Sequence, residues 1–311
     1  MSNIIEVKNL TKEFKEIRAV DNLSFSVAAG KVYGFLGQNG AGKSTTIRML
    51  LTLIKPSSGS IEIFGMNLQQ HRKEILSQVG AIIERPDLYK YLTALENLRI
   101  FATMSGIKIT EKKLMDQLEE VGLADRANSL VKTYSQGMKQ RLGIATALVH
   151  NPKLIILDEP TNGLDPQGIA DIRNLIIRLS KESGKTLLIS SHLLSEMELI
   201  ADSMLIIDKG KKLVEGNVND LFDPAETVVE LKTTDDAAVF EQLQTSALQK
   251  YVQGKRNDCV LLKLHRNEVP FVMKELVKMD VNVISLHSKH SLEDYFLSLT
   301  TGHSHVEAIK N

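Results

Sequence analysis

The chain has 311 residues, enough for one large α/β domain and a smaller one, and its 43% hydrophobic and 24% charged content is that of a soluble globular protein. Its 38 Lys and Arg balance 38 Asp and Glu, so no net field draws it to nucleic acid or an acidic membrane surface. A single cysteine, Cys259, excludes an internal disulfide and fits a reducing compartment; the first residues lack the pattern of a signal peptide, and no apolar run nears the roughly 20 residues of a membrane span.

Residues 5–10 and 23–27 alternate apolar and polar, which predicts an antiparallel hairpin of half-buried strands. Phe14 lies between them, placed either for a small core contact or for stacking on a nucleotide base. The apolar run 31–36 then leads into Gly37-Gln38-Asn39-Gly40-Ala41-Gly42-Lys43-Ser44-Thr45, which satisfies G-x-x-x-x-G-K-[ST]. Glycines let the backbone wrap an anion with its N–H groups turned inward. Lys43 supplies a mobile charge for the β- and γ-phosphates, and the Ser44 hydroxyl can hold Mg²⁺. Ile47, Met49, Leu50, Leu51 and Leu53 predict a buried helix whose N-terminus faces the phosphates.

Further on, residues 56–59 read as a turn, 61–64 as a strand, 68–78 as a helix and 79–83 as a strand ending at Glu84. Thr93 and Glu96 have capping-box spacing, and from there to about residue 149 the pattern is helical, with turns near Gly106 and Gly122. An all-helical insertion of this kind predicts a separate lobe, over about residues 85–150. The apolar run 154–157 is that of a strand buried on both faces of a parallel sheet. Asp165-Pro166 caps a helix with Ile169, Ile172, Leu175, Ile176 and Leu179 on one face; a strand over 186–190 and a hairpin over 204–214 close a domain spanning 1–216. Polar residues and Pro224 mark a linker over 217–227. Strands at 228–231, 260–264 and 281–286 and helices at 239–248 and 269–279 predict a small α+β domain, 228–311, of ferredoxin-like type and without a catalytic constellation.

The chemistry gathers at strand ends. Asp158, directly after the buried strand, is placed to hold a Mg²⁺ shell, and Glu159 beside it to orient or deprotonate water. His192 also follows a strand, so the sheet delivers it to the same edge, where ligands of parallel sheets bind. Ser135 and Gly137, within Tyr134-Ser135-Gln136-Gly137-Met138-Lys139-Gln140-Arg141, open a second helix whose N-terminus suits phosphate.

From about residue 4 to residue 215 the chain resembles the nucleotide-binding subunit of an ATP-binding cassette (ABC) transporter. GQNGAGKST is similar to the family's phosphate loop, YSQGMKQR to its signature sequence, LIILDEP to its metal-binding strand and catalytic glutamate, NGLD to its dimer loop and SSH to its switch histidine. The resemblance implies a P-loop ABC ATPase core with an antiparallel β subdomain and a helical lobe. It also implies roles. Phe14 stacks on adenine, residues 37–45 wrap ATP, Ser44 and Asp158 serve Mg²⁺, Glu159 polarises water and His192 contacts the γ-phosphate. Ser135, Gln136 and Gly137 act across a dimer on the partner's ATP, and Asp165 couples the two sites.

The chain departs from the family at Glu84, where glutamine is usual, although a carboxylate there can also bind Mg²⁺ or its water. Tyr134 and Gln136 likewise stand where Leu and Gly are commoner. AIIERPDLYKYLTALENL and SLEDYFLSLT resemble a subgroup exporting drugs and antimicrobial peptides, including bacitracin- and lantibiotic-type resistance ATPases. The implied partners are a second ATP-binding subunit, with a homodimer expected, and an integral membrane permease. The implied location is the cytoplasm, peripheral to the inner face of the cell membrane. An ABC ATPase acting on nucleic acid or in translation is the other class considered; the sequence has neither sustained heptads between residues 84 and 134 nor a basic tract, and no nucleic-acid partner is expected.

Overall fold

Two long strands, β1 (Asn3–Phe14) and β2 (Ile17–Ala28), pair antiparallel and run well past the alternating stretches that predict them. Register shifts flank Asn9, which adopts φ 51°, and these bulges break the period-two pattern in the sequence. The computed structural model describes residues 3–221, 227–256 and 259–289. The stretch 291–300 and the linker positions 222–226, with Pro224, lie outside the described residues. The described residues form two units, divided between Val218 and Asn219.

In the first unit, β3 (Val32–Leu36) leads to α1 (Lys43–Leu50), followed by β4 (Ser58–Ile63), β5 (Met66–Asn67), α2 (Arg72–Leu76) and β6 (Val79–Ile82). Three helices come next, α3 (Ala94–Met104), α4 (Glu111–Glu120) and α5 (Gln136–Leu148), with no named strand among them. The unit continues through β7 (Leu154–Asp158), α6 (Pro166–Lys181), β8 (Thr186–Ser191), α7 (Leu194–Glu198), β9 (Ser203–Asp208) and β10 (Lys211–Asn217); α8 (Val218–Leu221) follows. One sheet is antiparallel, in the order β2-β1-β4-β5. The other has the order β10-β9-β3-β8-β7-β6, parallel from β9 through β6, with β10 antiparallel at its edge. β3, β7 and β8 are buried along their whole length. Each Ile or Leu buried there contributes roughly 1.5–3 kcal/mol, which fixes the sheet edge that carries the site.

Local chemistry explains where helices differ from the sequence pattern. The helix predicted over 68–78 forms only as α2, because the Asn67 side chain accepts from the N–H groups of Gln69 and Gln70 and holds a turn there. α1 stops at Leu50: Thr52 adopts φ 57°, its N–H bonds the Met49 carbonyl, and Leu53 N–H reaches the Arg48 carbonyl at 2.8 Å. Leu53 therefore lies outside the helix and is 59% exposed, not buried with Ile47, Met49 and Leu50. The Thr93 capping box forms as the spacing predicts, and Thr93 holds the Glu96 carboxyl below its usual range through backbone and hydroxyl hydrogen bonds.

The second unit contains β11 (Thr227–Thr233), α9 (Asp236–Gln244), β12 (Val252–Arg256), β13 (Cys259–Leu264), α10 (Val269–Lys278) and β14 (Val283–Lys289). Its antiparallel sheet has the order β12-β13-β11-β14, the ferredoxin-like βαββαβ arrangement. β12 carries no alternating pattern, since a register shift lies between Val252 and Gly254. Leu231, Leu243, Val260, Leu262 and Leu276 form the unit's own core, and Cys259 is buried. Among the described residues no helix is long and apolar enough to cross a membrane.

Candidate functional site

The loop 37–45 joins β3 to α1, and backbone packing dictates two of its three glycines, Gly37 and Gly42. A Cβ at Gly37 would lie 2.6 Å from the Ile207 carbonyl oxygen. One at Gly42, where φ is 108°, would lie 2.6 Å from that of Ala19. Ala41 N–H donates to the Gln38 carbonyl at 3.0 Å, leaving Gln38, Asn39 and Gly40 exposed at the tip. Gly42 gives α1 no side-chain cap, and no acidic residue stands in the first turn. The N–H groups at Lys43, Ser44 and Thr45 thus keep the helix N-terminus electropositive, the condition for holding an anion.

Lys43 is 5% exposed, and its ammonium donates to the carbonyls of Gly37 at 2.6 Å and Gln38 at 3.3 Å. It also lies 3.2 Å from Glu159 Oε1. The other Glu159 oxygen accepts from His192 Nδ1 at 2.7 Å, so Nδ1 carries the ring proton that faces it. Lys43, Glu159 and His192 therefore form one chain across the ends of β3, β7 and β8. The parallel pairing of Asp158 with Ser190 sets that alignment.

Ser190 is the functional residue that sequence reasoning missed. Its hydroxyl donates to Asp158 Oδ1 at 2.5 Å and accepts from Glu159 N–H at 2.9 Å, fixing both acids. Its signal lay in the SSH stretch, but only the register shows what it touches. Asp158 is 1% exposed, and its Oδ2 is buried with no hydrogen-bond partner. A buried carboxylate oxygen left in this way is costly, and a cation or its water would satisfy it.

Glu84 sits two positions beyond β6 with φ 59°, and its carboxylate lies 2.6 Å from Arg48 Nη2 rather than among the other acids. Phe14 ends β1, partly exposed, with the Lys12 ammonium 4.8 Å from its ring centroid. Ser135 is the N-cap of α5 and accepts from Met138 N–H at 3.2 Å; Gln136 is exposed beside it and Gly137 half-buried. Tyr134 is buried, its hydroxyl donating to the Arg126 carbonyl at 2.6 Å, and burial pushes its ionisation upward. Asp165 caps α6 through Gly168 N–H at 2.9 Å. Among the described residues, no hydrogen bond or ion pair links Ser135, Gln136, Gly137 or Asp165 to the Lys43 cluster. Within one chain the structure thus brings Lys43, Asp158, Glu159 and His192 together, while Phe14, Glu84, Asp165 and the residues 135–137 each have local partners of their own.

The family model described as ABC transporter matches residues 20–162. The chain is 46% identical over 305 residues to the bacitracin transport ATP-binding protein BcrA of Bacillus licheniformis, covering 97% of this chain and 99% of that protein. It is 42% identical over 228 residues to the lantibiotic transport ATP-binding protein SrtF of Streptococcus pyogenes, covering 73% of this chain and 95% of that one. Its fold is similar to the dimeric post-hydrolysis state of the ATP-binding cassette MJ0796 bound to ADP and Pi. The TM-score there is 0.62 at 26% identity, covering 69% of this chain and 98% of that chain.

Proposed function

Since the chain belongs to the ATP-binding proteins of ABC transporters, as an ATP-hydrolysing subunit, we propose that it energises export of an antimicrobial peptide or drug through a separate membrane permease. The likeness to the bacitracin and lantibiotic proteins supports that cargo class, and the near-complete coverage of the bacitracin protein carries the proposal most directly. Cassettes of this family dimerise and work with a permease. For this chain we infer a homodimer, peripheral on the cytoplasmic face of the cell membrane, with no nucleic-acid partner. We place the ATP-binding domain at residues 1–216 and the accessory domain at residues 228–311; of the residues 217–227 expected to link them, Asn217 ends β10, Val218–Leu221 form α8 and Thr227 opens β11.

The backbone of residues 37–45 and the Lys43 ammonium hold the triphosphate. Phe14 stacks on the adenine. Asp158, with its unpartnered Oδ2, and the Ser44 hydroxyl fit Mg²⁺, which when bound neutralises phosphate charge and orients the γ-phosphate. Glu84, expected in the same group, has Arg48 as its observed partner. Glu159 accepts the proton of the attacking water, and His192 holds its carboxylate in place. Ser135, Gln136 and Gly137 present a helix N-terminus to the ATP of the partner subunit, with Asp165 beside the junction.

The test is to isolate the chain from detergent-solubilised membranes and identify what accompanies it. An ABC permease is the expected companion. Consistent recovery with ribosomes or DNA in its place counts against the transport role.

A further inference from the structure

We propose that Arg48 is a positioning residue of the nucleotide site: by pairing with Glu84 it cancels a carboxylate that would otherwise oppose the triphosphate. This rests on the ATP-site reading above and assigns that site a residue outside its motifs.

β6 and β7 run parallel with Ile82 beside Leu157, so the chain beyond β6 emerges at the edge that carries Asp158 and Glu159. Glu84 is there in the left-handed region, φ 59°, at the centre of a three-residue turn closed by Arg85 N–H on the Ile83 carbonyl at 2.7 Å. A glutamate held in that conformation is strained, and strained residues gather at functional edges. Arg48 comes from the other wall of the site, in the last turn of the helix that the phosphate loop opens. It lies five positions beyond Lys43, or about 7.5 Å along the helix axis at 1.5 Å per residue. The hydrogen bonds of Thr52 and Leu53 N–H to the Met49 and Arg48 carbonyls lock that turn, so the backbone carrying the guanidinium does not move freely.

Charge decides what the pair does. Asp158 and Glu159 already bring two carboxylates to this edge; Glu159 faces Lys43 and His192, whereas Asp158 has only the Ser190 hydroxyl and an unpartnered Oδ2. A third carboxylate would repel a triphosphate. Paired at 2.6 Å, Arg48 and Glu84 form a neutral unit that the phosphates tolerate. Arg48 is 43% exposed and Glu84 65%, so the pair adds little to folding and its effect lies in the local field. The pair also spans the phosphate-loop helix and the first turn of the segment entering the helical lobe, α1 on one side and residue 84 on the other.

The test is a double-mutant cycle in the full-length chain, read by binding of trinitrophenyl-ATP with excess EDTA and with excess Mg²⁺. Arg48→Ala should weaken metal-free binding by on the order of tenfold, because the freed carboxylate then faces the phosphates. Mg²⁺ screens that repulsion, so the ratio of the two dissociation constants should rise. Adding Glu84→Gln to Arg48→Ala should restore metal-free binding to about the parent's level, a recovery expected only of directly coupled residues. Arg48→Lys, which keeps the charge, should stay near the parent, and thermal unfolding should be unchanged across the set. The inference is overturned if the double variant binds as weakly as Arg48→Ala, or if Arg48→Ala binds like the parent. A parent chain that fails to bind the probe overturns the nucleotide-site reading itself.

Discussion

Glu159 is held at three points, and each constrains what it can do. Its backbone adopts φ 50°, its N–H is fixed on Ser190, and its two oxygens face Lys43 and His192. On the proposed reading, a phosphate entering the loop competes for the Lys43 ammonium and releases Oε1 to a water. Removing only the charge separates binding from chemistry. Glu159→Gln should keep nucleotide affinity and lose turnover by roughly 10²–10⁴-fold. Lys43→Ala should instead lose nucleotide affinity. Equilibrium binding and phosphate release measured side by side distinguish the two, and parental turnover in Glu159→Gln would exclude it as the base. The residues of this site that the sequence reveals are those whose signal is local: the loop spacing, and the acids and histidine at strand ends. Ser190 and Arg48 are not legible in that way, because their partners lie 32 and 36 residues away and only sheet register and helix packing bring them together.

Elements show the same division between local and distant causes. The Thr93 capping box needs four consecutive residues and is visible at once, whereas the shortening of α2 depends on one Asn side chain competing for backbone donors. The seat of α5 on the central sheet is wholly tertiary. A Cβ at Gly80 would lie 2.2 Å from the Ala147 carbonyl, so β6 and the end of α5 meet backbone to backbone. His150 closes this contact, with Nε2 3.1 Å from the Val79 carbonyl. That carbonyl only accepts, so Nε2 carries the proton and Nδ1 is bare, buried and without a partner. Burial, aided by nearby Lys185, therefore lowers the His150 pKa below its usual 6.5, the Val79 bond opposing. The unfolded chain takes up this proton more readily than the folded one. The contribution is thus complete above about pH 6.5 and is lost as pH falls toward the folded-state value. His150→Gln retains a donor for Val79 and removes the titration. The urea midpoint of the parent should drop more between pH 7 and pH 5 than that of the variant, and equal slopes would refute this account of the α5–β6 contact.

At the scale of the molecule, the fold class was legible because strand–loop–helix motifs and buried apolar runs recur in order along the first unit. The second unit was legible in its helices and three of its strands; β12, polar and interrupted at Gly254, needed its neighbour β13 to be defined. One chain holds two complementary groups of residues: Lys43 with Asp158, Glu159 and His192, and Ser135 with Gln136 and Gly137 at the start of α5. The second group has no hydrogen bond to the first among the described residues, in keeping with the proposal that it serves the nucleotide of a second copy. A two-fold dimer makes that complementarity reciprocal. Lys43→Ala and Ser135→Arg should each abolish turnover in a homodimer, since every site then lacks one half. Mixed in equal amounts, they place one intact site in each heterodimer: the loop of the Ser135→Arg chain meets the signature helix of the Lys43→Ala chain. Random pairing makes about half the dimers mixed, each with one of two sites restored, so about a quarter of the parental turnover should return. A mixture as inactive as its components would mean that Ser135 does not serve the partner's nucleotide.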